Sequence, residues 1–330
     1  MTLRDLGEFG LIDLIRRETP RARGVRLGIG DDAARVSTPD DSLLVTSDLL
    51  VEGVHFNRDW ISMRDLGHKS LTASLSDIAA MGGRPAYFLL SLALPDLAMQ
   101  GVTALVRGIH AAAAEHRVAL AGGDTCAADR VIIDVFLAGF APYGAVTRDG
   151  ARVGDDIYVT GTLGDSSLGL GLLVDPRPEV SARDRNYLIR RHHHPTARVK
   201  TGMELARQGL ARAMMDVSDG LAQDLGHICR ASGTGAVVRQ DQVPLSRAFA
   251  RVSGPGDLAC ALAGGEDYEL LFTAASGARK GVERVARRTG VPITRIGECV
   301  PREHGLTLVD PRGDRVPLTA LGYDHFKGMC

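Results

Sequence analysis

Carboxylates in this chain recur where apolar, strand-like runs meet glycine-rich turns. The first example is Gly28-Ile-Gly-Asp-Asp-Ala, which is followed by the apolar run Leu43–Ser47, and Asp48 closes that run. Acids in a glycine turn and at the end of a strand do not suit a hydrophobic core. They suit a hard cation, because Mg²⁺ takes oxygen ligands and keeps several of its own waters. This stretch therefore predicts a divalent-cation site.

The same turn also fits the loose G-x-G-x-x-G/A pattern of dinucleotide-binding proteins. That pattern works by bringing backbone N–H groups against a pyrophosphate, and the carboxylates of Asp31 and Asp32 would repel the same anion. The preceding segment, residues 21–27, is basic and interrupted, so no strong strand is expected before the turn. A direct dinucleotide site is disfavoured, whereas a phosphate site bridged by a metal stays open.

The length and charge of the chain narrow the class of protein. Its 330 residues allow two domains with a sizeable core. Lys and Arg number 39 against 40 Asp and Glu, so the net charge is −1 and no general nucleic-acid or anionic-membrane surface is expected. The five cysteines are scattered without a C-x-x-C pair, which indicates reduced thiols, no zinc site and a cytoplasmic protein. Residues 1–17 predict an amphipathic helix rather than a signal peptide, and no run approaches the roughly 20 apolar residues of a membrane span.

A predicted helix carries the next acid. It begins near Ser62 and stops at a Gly-Gly pair, and its buried stripe is Leu71, Leu75 and Ile78. Asp77 then lies in the last turns, where the helix dipole disfavours a negative charge by about 0.3–1 kcal/mol. A carboxylate placed against its local electrostatics, beside small residues, favours a bound cation over plain solvent exposure.

Three further segments repeat the pattern of acids at strand ends. A short strand at 118–121 is expected to end in the turn Gly122-Gly-Asp-Thr, and an acidic turn at 264–269 precedes another strand. Asp216 ends a third strand, after which Ser218 is expected to cap a helix with Asp219 in its first turn. The whole set of acids is Asp31, Asp32, Asp48, Asp77, Asp124, Asp216, Asp219, Glu266 and Asp267.

Convergence of these acids would be costly without cations. Two carboxylates about 4 Å apart repel by about 4 kcal/mol at an effective dielectric near 20, and several such pairs would rival a total stability of about 5–15 kcal/mol. If the acids meet, either cations are present or some acids are protonated.

Two other segments attract attention for different reasons. The turn Gly161-Thr-Leu-Gly-Asp-Ser is either a phosphate-binding turn or an ordinary strand-to-helix connection. The adjacent histidines His192, His193 and His194 do not share one face of a helix or strand. A solvated helix end is therefore expected there instead of a metal site.

Many acids, few evident bases and several glycine turns suit phosphoryl transfer, in which a protein mainly positions substrates and neutralises charge. The chain has no Gly-Lys dipeptide, no H-R-D and no D-F-G, so the usual sequence motifs of kinases are missing. ATP chemistry would then depend on metal ions, helped by an arginine such as Arg148.

Seven motifs, taken in order, closely resemble the thiamine-monophosphate kinase family of the aminoimidazole ribonucleotide synthetase, or PurM-like, superfamily. They are Gly28-Ile-Gly-Asp-Asp, Ser47-Asp with Glu52-Gly-Val-His-Phe, Ser76-Asp-Ile-Ala-Ala-Met-Gly, Gly122-Gly-Asp-Thr, Asp216-Val-Ser-Asp-Gly-Leu, Gly264-Gly-Glu-Asp-Tyr-Glu and Gly322-Tyr-Asp-His-Phe. The resemblance implies an α/β (α+β) fold of two PurM-like domains, expected at residues 1–142 and 150–330. The first would bind ATP and Mg²⁺ and pair its strands across a homodimer, and the second would be an α/β sandwich.

The resemblance also implies a Mg²⁺-dependent transfer of the ATP γ-phosphate directly, in line, to thiamine monophosphate, which is the final step in forming thiamine diphosphate. Carried over by motif, the Mg²⁺ ligands would be Asp32, Thr46, Ser47, Asp48, Asp77, Asp124, Asp216 and Asp219. The catalytic residues among them would be Asp48, Asp77, Asp124 and Asp219. ATP would contact Gly123, Asp124, Arg148 and Ser218, and thiamine monophosphate would contact His55, Glu266 and Tyr323.

One feature departs from this pattern, because the chain ends in Cys330. A terminal cysteine is a feature of the hydrogenase-maturation members of the superfamily, which act on a carbamoyl group, but those members should lack the motifs at 52–56 and 322–326. A cyclo-ligase acting on an amide is another alternative. From a different class, the acids would form a divalent-ion site that stabilises a non-catalytic scaffold.

Overall fold

The computed structural model describes residues 25–27, 31–37, 42–254, 256–318, 323–324 and 328–329. The helix predicted at residues 1–17, the glycines of the first turn and Cys330 lie outside these residues. So do Gly322, the side chain of Tyr323 and residues 325–326 of the last motif.

The N-terminal half is a six-stranded sheet with two helices on one face. Its strands are β1 Val25–Leu27, β2 Ala34–Ser37, β3 Ser42–Val51, β4 Arg84–Leu94, β5 Ala119–Ala127 and β6 Ile132–Phe140. Its helices are α1 Met63–Ala80 and α2 Met99–His116. The strand order is β1-β2-β3-β6-β4-β5, in which β4 and β5 are parallel and the other neighbours are antiparallel. The short strand β1 precedes the first glycine turn, where no strong strand was expected.

Alternation along β3 decides which of its side chains face the helices. Leu44 and Leu50 are 0% and 5% exposed, whereas Leu49 is 53% exposed. Because successive side chains of a strand point to opposite faces, Thr46 and Asp48 share the helix-facing side with the two buried leucines. Residues 47 and 49 share the outer side.

The C-terminal half contains a seven-stranded mixed sheet. Its strands are β7 Asp155–Thr160, β8 Ala213–Asp216, β9 Thr234–Arg239, β10 Leu270–Ala275, β11 Ile293–Pro301, β12 Leu306–Val309 and β13 Arg315–Pro317. They lie in the order β13-β12-β9-β11-β7-β10-β8, in which β12 and β9 are parallel and the other neighbours are antiparallel. The helices are α3 Asp165–Val174, α4 Ala182–His193, α5 Val199–Arg207, α6 Leu221–Ser232, α7 Arg247–Val252, α8 Leu258–Ala263 and α9 Arg279–Thr289. Tyr323–Asp324 and Gly328–Met329 pair as a small ribbon, β14 and β15.

Helix α1 lies between the two sheets. The predicted start is confirmed, because the Ser62 hydroxyl accepts the Asp65 N–H at 3.1 Å. The predicted stripe is also confirmed, because Leu71, Leu75 and Ile78 are fully buried. The helix packs on β3 and β6 on one side and on β8 and α5 on the other. It therefore carries its C-terminal turn to the junction of the two halves. Among the described residues, no helix combines the length and apolarity that crossing a bilayer demands.

Two predicted strand ends are wrong. β3 continues through Asp48 to Val51, because it stays paired with β6 over that whole stretch. β5 continues through Gly123 and Asp124 to Ala127, because its parallel pairing with β4 keeps the glycines within the sheet. A Cβ at Gly123 would lie 1.9 Å from a backbone oxygen of β4. Gly123 thus permits close strand packing, and the Gly122-Gly123 pair does not make a turn.

The contact between α1 and α2 gives a prediction about stability. A Cβ at Gly108 of α2 would lie 1.9 Å from the Arg64 carbonyl oxygen, whereas a Cβ at Gly101 would meet nothing nearer than 3.7 Å. We expect Gly108→Ala to force the helices apart and to cost at least about 1–3 kcal/mol. Gly101→Ala, the control, should be neutral or stabilising by up to about 1 kcal/mol. Thermal and urea unfolding measure both, and equal stability of the two variants would contradict this packing.

Candidate active site

An acidic cluster lies where α1, β8 and the turn before β2 meet. Carboxylate oxygens of Asp32, Asp77 and Asp216 lie within 4.8 Å of one another. Asp77 is near the C-terminal end of α1, and Asp216 is the last residue of β8. Thr46 of β3 donates a hydrogen bond from Oγ1 to Asp77 Oδ2. The fold therefore brings together acids from three distant parts of the chain.

Serine hydroxyls on α1 bind two of the acids. Ser76 Oγ donates to Asp216 Oδ2 at 2.6 Å, which links the two halves of the protein. Ser74 Oγ donates to Asp48 Oδ2 at 2.7 Å. Asp48 therefore joins the cluster from the helix-facing side of β3, although it lies within the strand and not at its end.

Burial and mutual repulsion raise the pKa of these acids. For Asp77 the main cause is burial, followed by the charges of Asp48, Asp216 and Asp32. Burial also raises the pKa of Asp216, with the charge of Asp32 as the next cause. The pKa of Asp48 is raised chiefly by burial as well. Charged carboxylates at this junction therefore require positive charge beside them.

Arg148 supplies part of that charge. Its Nε and Nη2 donate to the two carboxylate oxygens of Asp32 at 3.0 and 2.9 Å, and its backbone N–H donates to Asp31 Oδ2 at 3.1 Å. Burial, followed by the Asp32 charge, still raises the pKa of Asp31 to about 7. One guanidinium cannot neutralise Asp31, Asp32 and Asp216 together, so an excess of oxygen ligands and negative charge remains. Such a donor set fits Mg²⁺.

Two of the predicted ligands lie on the other face of the first sheet. Ser47 Oγ donates to Asp134 Oδ1 at 2.7 Å on the outer side of β3 and β6. Asp124 is exposed on β5, in register with Ser91, which is itself in register with Asp134. These residues form a polar row across the outer face, and the structure does not bring Ser47 or Asp124 into the cluster around Asp77.

Asp219 belongs to a second group of ligand atoms. Oxygens of Asp219 and Asp224 and a ring nitrogen of His227 lie within 4.8 Å of one another. Asp224 Oδ2 accepts the backbone N–H groups of Asp219 and Gly220 at 3.2 and 3.1 Å. Burial raises the pKa of Asp224, followed by the charges of Asp219 and then Asp216, so this group adjoins the acidic cluster. Asp224 and His227 were not predicted as site residues, and the one sequence signal for them is their spacing on α6.

The helix cap predicted at Ser218 is wrong, because Gly220 directly precedes α6. The Ser218 carbonyl instead accepts the Glu266 N–H at 2.8 Å, and the Val217 carbonyl accepts the Tyr268 N–H at 2.9 Å. These bonds fix the acidic turn at 264–269 to the loop that follows β8.

Among the three acids of that turn, Glu266 faces the junction between the halves. Its Oε1 lies 2.8 Å from Lys69 Nζ of α1, and its Oε2 lies 3.2 Å from His192 Nδ1 of α4. Asp267 instead accepts the backbone N–H groups of Gly164 and Ser166. Those donors, which the sequence suggested for phosphate, are therefore engaged. Glu269 is fully buried and is bound by Arg191, Arg198 and Thr160.

A cavity of about 270 Å³ lies between the 53–61 loop and helices α3 and α4, and His192, which contacts Glu266, forms part of its lining. His55, one of the predicted substrate contacts, lines it, and its charge helps to lower the pKa of Glu266. The full lining is Gly53, Val54, His55, Phe56, Asn57, Trp60, Ile61, Leu170, Val174, His192 and His193. His55 thus lines the cavity directly, and Glu266 borders it through His192.

The solvated helix end expected at the three histidines is wrong for His192. It is 5% exposed and contacts Ser166 and Glu266. Burial, followed by the nearby charge of Lys69, lowers the pKa of His192 to about 3, so the ring is neutral at physiological pH. His194, two residues further along the chain, stacks on His68 of α1 with ring centroids 3.5 Å apart. Residues on opposite faces of one helix end meet different neighbours, which the sequence could not show.

Comparison with known proteins is consistent with this geometry. Residues 30–141 match the AIR synthase related protein N-terminal domain, and residues 152–309 match the corresponding C-terminal domain. Thiamine-monophosphate kinase of Escherichia coli K12 is 41% identical over 327 residues, which cover 97% of this chain and 98% of that protein.

Solved structures give the same result. The structure of AaThiL complexed with AMPPCP and TMP superposes with a TM-score of 0.84 at 37% identity and covers 98% of this chain and 99% of that one. The E. coli hydrogenase maturation protein HypE shares the fold, with a TM-score of 0.71 at 21% identity over 94% of this chain and 96% of its own. The expected two-domain PurM-like architecture is thereby confirmed. The chain belongs to the thiamine-monophosphate kinase family of AIR synthase related proteins.

Proposed function

We propose that this protein transfers the γ-phosphoryl group of ATP to the phosphate of thiamine monophosphate and so forms thiamine diphosphate. The observation that carries the proposal is that the acidic cluster and the His55–Glu266 cavity adjoin each other at the junction of the two halves. Tyr268 is buried two residues after Glu266, and after burial the charges of Glu266, Asp48, Asp216 and Asp77 raise its pKa, so both groups act on the same side chain. A site for metal-bound phosphates thus borders a site for an organic substrate.

Mg²⁺ is part of this proposal, because both substrates are phosphate anions that repel each other. Bound Mg²⁺ would neutralise charge on the two facing phosphates. The proposed ligands in and beside the acidic cluster are Asp32, Thr46, Asp48, Asp77 and Asp216. Asp219 is proposed from the second group of ligand atoms, and Ser47 and Asp124 are proposed from the outer face of the first sheet. The proposed ATP contacts are Gly123, Asp124, Arg148 and Ser218. The proposed catalytic residues are Asp48, Asp77, Asp124 and Asp219.

The chain needs to do little acid–base chemistry for this reaction. A phosphate oxygen is already deprotonated near neutral pH, so in-line attack needs no strong general base. The contribution of the protein is then to orient the two anions and to screen their charges. A cluster of oxygen ligands with one arginine, Arg148, fits that task.

The cavity beside Glu266 is the proposed site of the thiamine moiety. Thiamine carries a cationic ring, which a carboxylate complements, and Trp60 and the histidines of the lining offer flat surfaces against a heterocycle. His55 and Glu266 are the proposed contacts in the described residues, and Tyr323 is proposed as a third.

A homodimer is proposed from the uncovered face of the first sheet. Leu49, Tyr87, Leu89 and Phe136 are 37–54% exposed on β3, β4 and β6, which is a large apolar patch for a free surface. Every residue of the edge strand β5 is exposed as well. A second copy of the same face would cover the apolar patch and the unpaired strand edge. The cytoplasmic location remains a prediction.

An assay of ADP release tests the proposed activity. The expected result is ADP formation that requires both thiamine monophosphate and Mg²⁺. Formylglycinamidine ribonucleotide and a carbamoyl donor serve as alternative substrates for the other activities of the superfamily. Turnover with either of these instead, or metal-dependent stabilisation without any turnover, would contradict the proposal.

Asp77→Asn tests the role of the cluster in turnover. Removing one ligand charge should lower turnover by at least about 100-fold, whereas metal-free thermal stability should stay equal or rise because repulsion is relieved. Asp129→Asn is the control, since the Asp129 side chain is 83% exposed. Near-normal turnover of Asp77→Asn would show that Asp77 is not a ligand.

The raised pKa values predict how stability depends on pH. The folded protein holds protons on these acids that the unfolded chain has released, so their contribution is complete below the ordinary pKa of about 4 and is lost as pH rises through the folded pKa. That folded pKa is about 7 for Asp31. In chelator, the thermal midpoint should therefore fall between about pH 6 and pH 8, and added Mg²⁺ should raise it more at the higher pH. A gain that is independent of pH, or equally large in Asp77→Asn, would contradict cation binding by the cluster.

Leu89→Glu tests the proposed dimer. A charge in the centre of the apolar face should convert a dimer into a monomer in sedimentation experiments, with little change in the stability of the subunit. Val153→Glu is the control, because Val153 is 57% exposed outside the first sheet. A monomeric wild-type protein, or a Leu89→Glu variant that still dimerises, would end this proposal.

A further inference from the structure

Lys69 is a cation in an unusual position. Its side chain is 1% exposed on α1, among the fully buried residues of the helix. A buried ammonium is costly unless it is paired, and its Nζ lies 2.8 Å from Glu266 Oε1. The ion pair crosses from the N-terminal half to the C-terminal half, beside the His55 cavity.

The backbone around Glu266 is held in a sparsely populated conformation. Glu266 and Tyr268 have φ values of +62° and +52°, a region that costs a non-glycine residue about 1–3 kcal/mol. The bonds of these two residues to the carbonyls of Ser218 and Val217 hold the turn in place. A Cβ at Gly265 would lie 2.2 Å from the Ser218 carbonyl oxygen, so the approach of the two loops needs glycine there. The Glu266 side chain therefore projects from a backbone position that is held in place.

Lys69 and His192, the two basic side chains that contact Glu266, interact with it in different ways. Burial alone would raise the pKa of Glu266, and Lys69, followed by His192, lowers it below its ordinary value. His192 is neutral at physiological pH, and because a carboxylate only accepts, its contact with Glu266 puts the ring proton on Nδ1. His192 therefore contributes a hydrogen bond, and Lys69 contributes a full charge.

We infer that Lys69 is a positioning residue, which fixes the Glu266 carboxylate beside the cavity so that it meets the cationic ring of the substrate. The inference rests on the proposed function. Lys69 acts through Glu266 and does not line the cavity itself. It ties substrate recognition in the C-terminal half to the same helix that carries Asp77.

A second buried ion-pair group supplies the matched control. Arg198 binds both oxygens of the buried Glu269, which Arg191 also binds, so one cation can be removed without leaving the acid alone. Glu269 is bound by Thr160, Arg191 and Arg198, none of which lines the cavity, whereas Glu266 contacts His192 of the lining. Loss of Arg198 therefore removes a buried charge of the same kind with no route to the substrate.

The test is Lys69→Met, compared with Arg198→Met. Calorimetric binding of thiamine monophosphate without ATP should weaken at least about tenfold in Lys69→Met, as expected for losing an interaction with a charged group. Its KM for ATP should stay within about twofold and its kcat within about threefold of wild type, because the metal and ATP contacts are untouched. Arg198→Met should lower the thermal midpoint and leave the affinity unchanged. Unchanged affinity in Lys69→Met, or equal losses in both variants, would overturn the inference.

The double variant covers the case in which Lys69→Met does not fold. Glu266→Gln should weaken binding on its own, and Lys69→Met/Glu266→Gln leaves no buried unpaired charge at this pair. If Lys69 acts through Glu266, the double variant should match Glu266→Gln within about twofold. A further large loss would mean that Lys69 meets the substrate directly and would overturn the positioning role. Absence of thiamine-monophosphate-dependent ADP release in the wild type would instead overturn the proposed function itself.

Discussion

The repulsion among buried carboxylates at the junction of the two halves is the constraint on which this structure depends. Asp77 from α1, Asp216 from β8 and Asp32 from the first turn are brought within 4.8 Å of one another. Packing of α1 between two sheets is what holds them there. The core therefore stabilises an arrangement of charges that would separate if it were free to do so. Stored repulsion of this kind has a use when a cation and a pair of anions enter the same space.

The surrounding side chains reduce the electrostatic repulsion among these acids without removing it. Hydroxyls of Thr46, Ser74 and Ser76 each donate to one acid, and Arg148 binds Asp32. Hydroxyls can rotate and leave an oxygen free for a metal ion, which a second arginine could not do. The site is thus kept negative and rich in oxygen, whereas the acid at 269 is fully compensated by two arginines. Two arginines therefore neutralise the charge of Glu269, whereas the acids of the cluster keep an excess of negative charge.

Predictions from the sequence were most reliable for features that depend on a single helix. The start of α1 at Ser62 and its buried stripe follow from capping and helical spacing, and both are confirmed. The strand ends at Asp48 and Asp124 were wrong, because strand length depends on the partner strand and the partner is distant in sequence. A glycine pair beside an aspartate has the same composition in a turn and in a tightly packed strand.

The candidate site shows the same division between local and distant information. Acids could be identified by their residue type, but the roles of Ser76, Lys69 and His192 became visible only from contacts across the junction. His192 illustrates the reason: as part of a run of three histidines it suggests a solvated helix end, and only the packing of α4 buries it. The domain limits and the individual ligand roles remain predictions.

Helix α1 offers a physical reason why the two parts of the site keep a fixed separation. Lys69 and Asp77 are eight residues apart on it, which corresponds to about 12 Å along the helix axis. Lys69 contacts Glu266, and Asp77 belongs to the acidic cluster. On the C-terminal side, backbone hydrogen bonds join the loop after β8 to the 264–269 turn, so the same two parts are fixed again. A substrate that reaches from the cavity to the acidic cluster must match this distance, which α1 and the hydrogen-bonded loops both hold constant. The fold would then select substrates by their length as well as by their charge.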